Sequence, residues 1–193
     1  MTWSGNDAAW SRRKLLGVGG SAAALTLTPA LPALAMPAYT GTESDTRSLA
    51  FYNLHTQERI KVDYFMNGAY EPEAMRALNR FMRDPRDHSA VAMDPGLIDL
   101  LYAIHAKMET SQPFHLISGY RSPRTNAWLR RRGRGVAKNS LHMRGLAADI
   151  RLPGRDLKAL WRAARGLRRG GVGLYTRSDF VHVDIGRVRY WGA

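Results

Sequence analysis

Two short segments restrict this chain more than any others. Leu146 to Leu152 reads LAADIRL, Phe180 to Ile185 reads FVHVDI, and both alternate with period two. Successive side chains of a β-strand point to opposite faces. In the first segment Leu146, Ala148, Ile150 and Leu152 share one face, opposite Ala147, Asp149 and Arg151. In the second, Val181, Val183 and Ile185 oppose Phe180, His182 and Asp184. Each strand thus has an apolar face and a face that carries titratable groups. Gly145, just before the first strand, allows a tight bend that swings His142 back beside Asp149. If the two strands are neighbours, His142, Asp149 and His182 converge.

Two imidazoles and one carboxylate form a catalytic zinc set, because three protein ligands leave the fourth tetrahedral position open. Such a site needs a further carboxylate to move the proton of the attacking water. Asp179 stands three residues before His182, and Asp184 two after it on the same strand face. Spacing alone does not choose between them. An isolated H-x6-D is weak evidence, and it is the pairing with His182 that gives it content. His55, His88, His105 and His115 are read as structural histidines.

The remaining chain reads as interleaved strands and helices. SLAFYNLH and ERIKVDYF form a hairpin across Thr56 and Gln57. PEAMRALNRFMRD has apolar residues at helical spacing, and Asp94 with Pro95 opens a second helix, GLIDLLYAIHAK. FHLIS is a strand. Ser122 and Pro123 then start a helix that Gly133 ends. After LAADIRL come a helix, RDLKALWRAARGLRRG, and the strands VGLY, FVHVDI and VRYW. The GGVG of Gly170 to Gly173 follows a helix and reads as a helix stop and turn rather than a phosphate cradle. Without regular βαβ repetition, this pattern is α+β with a mostly antiparallel sheet.

The first residues are an address rather than fold. SRRKLLG, Ser11 to Gly17, sets paired arginines before an apolar run ending at Ala33-Leu34-Ala35, similar to a twin-arginine export signal. Glycines and prolines in that run make a poor membrane helix, so no stable membrane span is expected after processing. Residues 1–35 are read as the signal, 36–46 as a flexible linker and 47–193 as one domain. Export places the mature protein in the periplasm, with the twin-arginine machinery as a partner. The chain has no cysteine, which excludes disulfides and thiolate metal sites. Net charge is +13, and removing Arg12, Arg13, Lys14 and Asp7 leaves +11. Such a balance favours anionic partners, and an exported protein meets wall polymers and lipids before nucleic acid. No aromatic and basic recognition pattern for nucleic acid accompanies the charge. The basic run LRRRGRG, Leu129 to Gly135, reads as a solvated helix end. No H-E-x-x-H helix and no G-x-S-x-G elbow is present.

Three segments, SGYRSPRTN (Ser118 to Asn126), SLHMRGLAADIR (Ser140 to Arg151) and GGVGLYTRSDFVHVD (Gly170 to Asp184), together resemble the zinc peptidases related to D-alanyl-D-alanine carboxypeptidase, most closely their murein endopeptidases. The pattern S-x-H-x-x-G-x-A-x-D falls on Ser140, His142, Gly145, Ala147 and Asp149. The resemblance implies His142, Asp149 and His182 as ligands of Zn2+, and Asp179 as general base, with Asp184 as the alternative base or as support for His182. It implies Arg121 as the group that contacts substrate and stabilises the oxyanion, and Ser140 as a further substrate contact. Where some relatives carry H-x-H, this chain has Phe180 before Val181 and His182, which leaves the assisting histidine's role unfilled. The implied fold is a small, mostly antiparallel sheet flanked by helices, as in hedgehog and D-Ala-D-Ala peptidases. The implied activity is hydrolysis of peptide crosslinks in peptidoglycan. The rival readings are a D,D- or L,D-carboxypeptidase trimming stem peptides, and a catalytically idle, zinc-stabilised wall-binding protein.

Overall fold

The computed structural model describes residues 45–133 and 136–192. The signal read over 1–35, and the linker up to residue 44, lie outside the described residues. Strands β1 (Arg47–Asn53) and β2 (Arg59–Met66) form the expected antiparallel hairpin, with Phe51 opposite Ile60. A two-residue strand, β3 (Ala69–Tyr70), adds to β2 and was not legible from local pattern. Helix α1 (Pro72–Phe81) and helix α2 (Pro95–Lys107) follow. The Asp94 carboxylate accepts a hydrogen bond from the Gly96 amide at 2.8 Å, satisfying an otherwise unpaired N-terminal donor of α2. Strand β4 (Phe114–Ser118) leads to α3 (Pro123–Arg132), capped by Ser122 Oγ accepting from the Thr125 amide. Gly133 ends α3 in an extended conformation (φ −135°), so it stops the helix without the left-handed cap that glycine often supplies.

The second half holds β5 (Ala147–Arg151), α4 (Leu157–Gly166), β6 (Gly171–Tyr175), β7 (Phe180–Asp184) and β8 (Arg189–Trp191). All eight strands join one sheet in the order β3-β2-β1-β4-β5-β7-β6-β8. The sheet is therefore large, which corrects the expectation of a small one. Parallel pairing of β1 with β4 ties the N-terminal hairpin to the strands that carry the site, and β8 adds in parallel to β6. The other five pairings are antiparallel. No helix among the described residues is long and apolar enough to cross a membrane.

One face of the sheet makes the core. Leu49, Phe51, Phe114, Leu116, Ala148, Ile150, Val172, Leu174, Val181 and Val183 pack with Leu97, Ile98, Leu101 and Ile104 of α2 and Leu160, Trp161 and Ala164 of α4. Each such aliphatic side chain contributes about 1.5–3 kcal/mol on burial. The alternation read from LAADIRL and FVHVDI is present as expected. Ala148 and Ile150 of β5 face this core, while Asp149, His182 and Asp184 stand on the opposite face.

Candidate metal centre

Register decides the site. In the antiparallel β5–β7 pair Asp149 lies directly opposite His182, so one carboxylate and one imidazole project from adjacent strands at the same level. His142 arrives from a single 3-10 turn, Leu141–Arg144, that ends at Gly145 in the left-handed region (φ +69°). Any side chain at position 145 would also run into the Ala92 carbonyl. The Gly145 carbonyl accepts from the Asp94 amide at 3.0 Å, which ties the turn to the start of α2. Glycine is thus required both for the bend and for the close approach that holds it.

His142 Nε2, Asp149 Oδ1 and His182 Nδ1 meet at one point. Their separations are 3.2 Å (His142 to Asp149), 3.2 Å (His142 to His182) and 2.9 Å (His182 to Asp149). His142 and Asp149 are buried, and the His182 side chain is 12% exposed. The outer hydrogen bonds determine which nitrogens point inward as lone pairs. His142 Nδ1 is 2.7 Å from the Gly119 carbonyl, which only accepts, so Nδ1 carries the proton. His182 Nε2 is 2.9 Å from Asp184 Oδ2, and it likewise donates outward. In their neutral forms both imidazoles therefore aim lone pairs at the Asp149 carboxylate, and three acceptors face each other with no donor between them. Such a set calls for a cation. Tetrahedral zinc with bonds of about 2.0–2.1 Å places its ligand atoms about 3.3 Å apart, close to the spacings found. Among the described residues these three make the one group of acidic or imidazole ligands close enough to hold a metal ion.

Electrostatics follow the same geometry. Burial pushes the Asp149 carboxyl up, but His142 and His182 outweigh it and hold it well below the usual carboxylate range. Burial pushes the His182 imidazole down, yet hydrogen bonds to Asp149 and Asp184 prevail and raise it to about 8. A metal entering the site competes with that proton, so binding tightens as pH rises. Asp184 is fully buried. Its Oδ1 accepts from the Gly171 amide, the Gly186 amide and Arg189 Nη1, and its Oδ2 accepts from His182 Nε2 and Arg189 Nη2. Burial alone would raise its pKa, and His182 and Arg189 overcome that and keep it ionised. A carboxylate behind a ligating histidine fixes ring orientation and tautomer.

The three groups lie in a cleft of about 470 Å³ lined also by Arg121, Asn139, Ser140, Tyr175, Ser178, Phe180, Arg189 and Trp191. Arg121 sits beside the metal centre, with Nη2 at 3.3 Å from both Asp149 Oδ2 and Ser118 Oγ. Burial draws its guanidinium below the usual arginine range, against the opposing pull of Asp149. Its loop is held from two sides: the Tyr120 amide donates to the Met82 carbonyl and the Arg121 amide to the His142 carbonyl. Ser140 is buried at the cleft's edge, and its hydroxyl makes no capping bond.

Asp179 is placed differently from the other candidates. It is not a lining residue of this cleft. Its side chain is 61% exposed and bonds Arg151 Nη1 at 2.8 Å, facing a neighbouring depression that also holds His115 and Arg155. Its backbone is left-handed (φ +52°), and its neighbours Ser178 and Phe180 line the cleft. Of the four histidines read as structural, His105 bonds the Gln112 carbonyl and packs edge-on against Phe114, and none of the four lines the cleft.

An aromatic wall and two glycines were missed in the sequence. Phe180 stacks on Tyr175 (ring centres 4.5 Å apart), the Tyr175 hydroxyl accepts from Trp191 Nε1 at 3.0 Å, and the Trp191 ring packs against His182. Strand β6 contains Gly173, as VGLY predicts, and begins one residue earlier at Gly171, which corrects the reading of Gly171 as part of a turn. A Cβ at Gly171 would overlap the Asp184 carboxylate and the Arg189 guanidinium, and one at Gly173 would overlap the Trp191 indole. Alternate glycines on the site face of a strand signal close approach by other groups, and the G-x-G of GGVGLY carried that signal.

Comparison with known proteins gives a consistent picture. The family described as peptidoglycan L,D-endopeptidase MepK matches residues 41–191. Peptidoglycan L,D-endopeptidase MepK of Escherichia coli is 45% identical over 183 residues, covering 94% of this chain and 97% of the relative. The probable peptidoglycan L,D-endopeptidase MepK of Haemophilus influenzae is 38% identical over 184 residues, covering 94% of this chain and 95% of the relative. With a match that spans the sheet, the convergent histidines and the arginine loop, the chain belongs to the MepK family of zinc metallopeptidases related to D-alanyl-D-alanine carboxypeptidase.

Proposed function

We propose that this protein hydrolyses an L,D peptide bond in the crosslinks of peptidoglycan, using a zinc ion held by His142 Nε2, Asp149 Oδ1 and His182 Nδ1. The observation that carries this reading is the convergence of two imidazole nitrogens and one carboxylate oxygen, 2.9–3.2 Å apart, on the floor of an open cleft. A zinc ion bound there supplies Lewis acidity and lowers the pKa of water toward neutrality. The chain's own residues do the rest. Arg121 uses Nη2 on Asp149 and Ser118 and keeps Nε and Nη1 for the oxyanion that develops as the scissile carbonyl is attacked. Ser140 offers a hydroxyl to the substrate backbone, and Tyr175, Phe180 and Trp191 wall the cleft.

We assign proton transfer to Asp179. Asp184 has every lone pair engaged and no exposure, so it positions His182 instead. Asp179 is held outside the cleft by one exposed ion pair, of a kind worth about 0–1 kcal/mol. Released from Arg151, it sits on the segment between two lining residues, accepts the water's proton and passes it to the leaving amine as the C–N bond breaks. The finer fold likeness to hedgehog and D-Ala-D-Ala peptidases, and twin-arginine export to the periplasm through SRRKLLG, belong to the same reading.

Mass analysis of purified crosslinked muropeptides tests it. The full chain loaded with zinc converts dimers to monomers by cutting at an L,D bond, and chelation or His142→Ala stops it. Release of single terminal residues from intact crosslinks makes it a carboxypeptidase. Uncut dimers with zinc bound make it an idle wall-binding protein.

A further inference from the structure

A second cleft, of about 380 Å³, lies apart from the metal centre and is lined by Arg162, Arg165, Gly166, Arg168, Val188 and Tyr190. We propose that it is a second binding site for the carboxylate-bearing peptidoglycan polymer, which holds the enzyme on the wall while the first cleft cuts. The proposal rests on the peptidoglycan reading but uses none of its catalytic residues.

Charge is the first argument. Half of the lining residues are arginines and none is acidic. Among the described residues Arg162 pairs only with Asp156, at 3.9 Å and with both side chains 64% exposed, while Arg165 and Arg168 make no ion pair. A pair so long and so solvated leaves the positive charge of the groove almost uncompensated. Order is the second argument. The Arg165 guanidinium lies over the rings of Trp161 (5.1 Å) and Tyr190 (5.0 Å), and the Tyr190 hydroxyl donates to the Arg165 carbonyl. Two rings hold the planar fork in place with its N–H edges unpaired, which suits a carboxylate. Val188 and Tyr190 are two of the three large apolar side chains most exposed among the described residues. The groove thus sets apolar surface beside fixed cations, matching a peptide that carries both alkyl groups and carboxylates.

Strand geometry selects the occupant. Along β8 Arg189 and Trp191 line the catalytic cleft, whereas Tyr190 and the preceding Val188 line the groove. The two clefts therefore open from opposite faces of one edge strand. A flat bilayer of acidic lipid reaches one face at a time. A polymer mesh that surrounds the enzyme fills both, and a chain of net charge +13 is drawn to it.

Sedimentation with isolated sacculi, set beside cleavage of soluble muropeptide dimers, tests the proposal. R162Q/R168Q leaves the aromatic stack intact, and R165Q removes the stacked cation. Both variants are expected to bind sacculi about tenfold more weakly at physiological salt, the loss of one charge-assisted contact, and to cut soluble dimers at the wild-type rate. Failure of the wild-type protein to cut dimers sinks the catalytic reading alone, because sedimentation is read independently. Wild-type sedimentation by both variants overturns the second site. Unchanged binding to sacculi with lost binding to phosphatidylglycerol vesicles overturns the polymer as occupant.

Discussion

Asp184→Asn offers the sharpest test of how the site is held together. Five donors converge on this carboxylate: the amides of Gly171 and Gly186, two N–H groups of Arg189, and His182 Nε2. Asparagine keeps the shape but replaces one acceptor oxygen with an NH2 group that faces donors on either side. Amides and guanidinium cannot exchange roles. His182 can, by moving its proton from Nε2 to Nδ1, and that proton then sits between His142 Nε2 and Asp149 Oδ1, where the ligand lone pair must be. Loss of a carboxylate behind a ligating histidine typically weakens metal binding about 10–100-fold, or about 1.4–2.8 kcal/mol. The metal-free fold should also lose about 2–3 kcal/mol, below the ~3–5 of a fully buried broken pair, since the Arg189 side chain is 35% exposed. Competitive chelator titration measures the first quantity and thermal unfolding after metal removal the second. Wild-type zinc affinity in a folded Asp184→Asn protein would refute the tautomer argument.

Asp179→Asn should leave zinc affinity unchanged and slow dimer cleavage about 10²–10⁴-fold; full activity, with cleavage lost in a folded Asp184→Asn protein that retains zinc, would move the base to Asp184. Gly173→Ala should displace Trp191 from the strand surface, costing about 1–3 kcal/mol and shifting tryptophan fluorescence, whereas a silent substitution would mean the indole has room to retreat. Asp87 makes the acid side testable. Hydrogen bonds from the Ser122 and Ser89 hydroxyls hold its carboxyl at about 2 in the fold against 3.8 unfolded. Its stabilisation is complete above pH 3.8 and disappears as pH falls through about 2. In Asp87→Asn, stability should therefore decline less steeply over that window than in the wild type, and equal slopes in acid denaturation would contradict the assignment.

Much of the site was legible because strand alternation is a local property. The polarity of LAADIRL and FVHVDI put Asp149 and His182 on the non-core faces of their strands whatever the strands' neighbours, and Gly145 marked the bend that returns His142. Asp94 and Ser122 declare helix starts by the same local logic, since each supplies a side-chain oxygen to an unpaired amide of the following turn. Pairing is not local. That β7 rather than β6 lies beside β5, with Asp149 level with His182, depends on strands 33 residues apart in the chain finding one register. The same long-range pairing joined the N-terminal hairpin to the sheet and made it larger than expected.

The orientation of Asp179 and the burial of Asp184 were decided by tertiary structure for a similar reason. Both flank His182, and from spacing they are equivalent candidates. A left-handed turn residue and a strand residue point in directions set by what packs around them: Arg151 draws one outward, while Arg189 and two glycine amides enclose the other. The sequence by itself determined which side chains stand on the non-core face and which chemistry they can support. The fold alone determined which of them share a point in space, because convergence comes from register, and register is settled by the whole sheet at once.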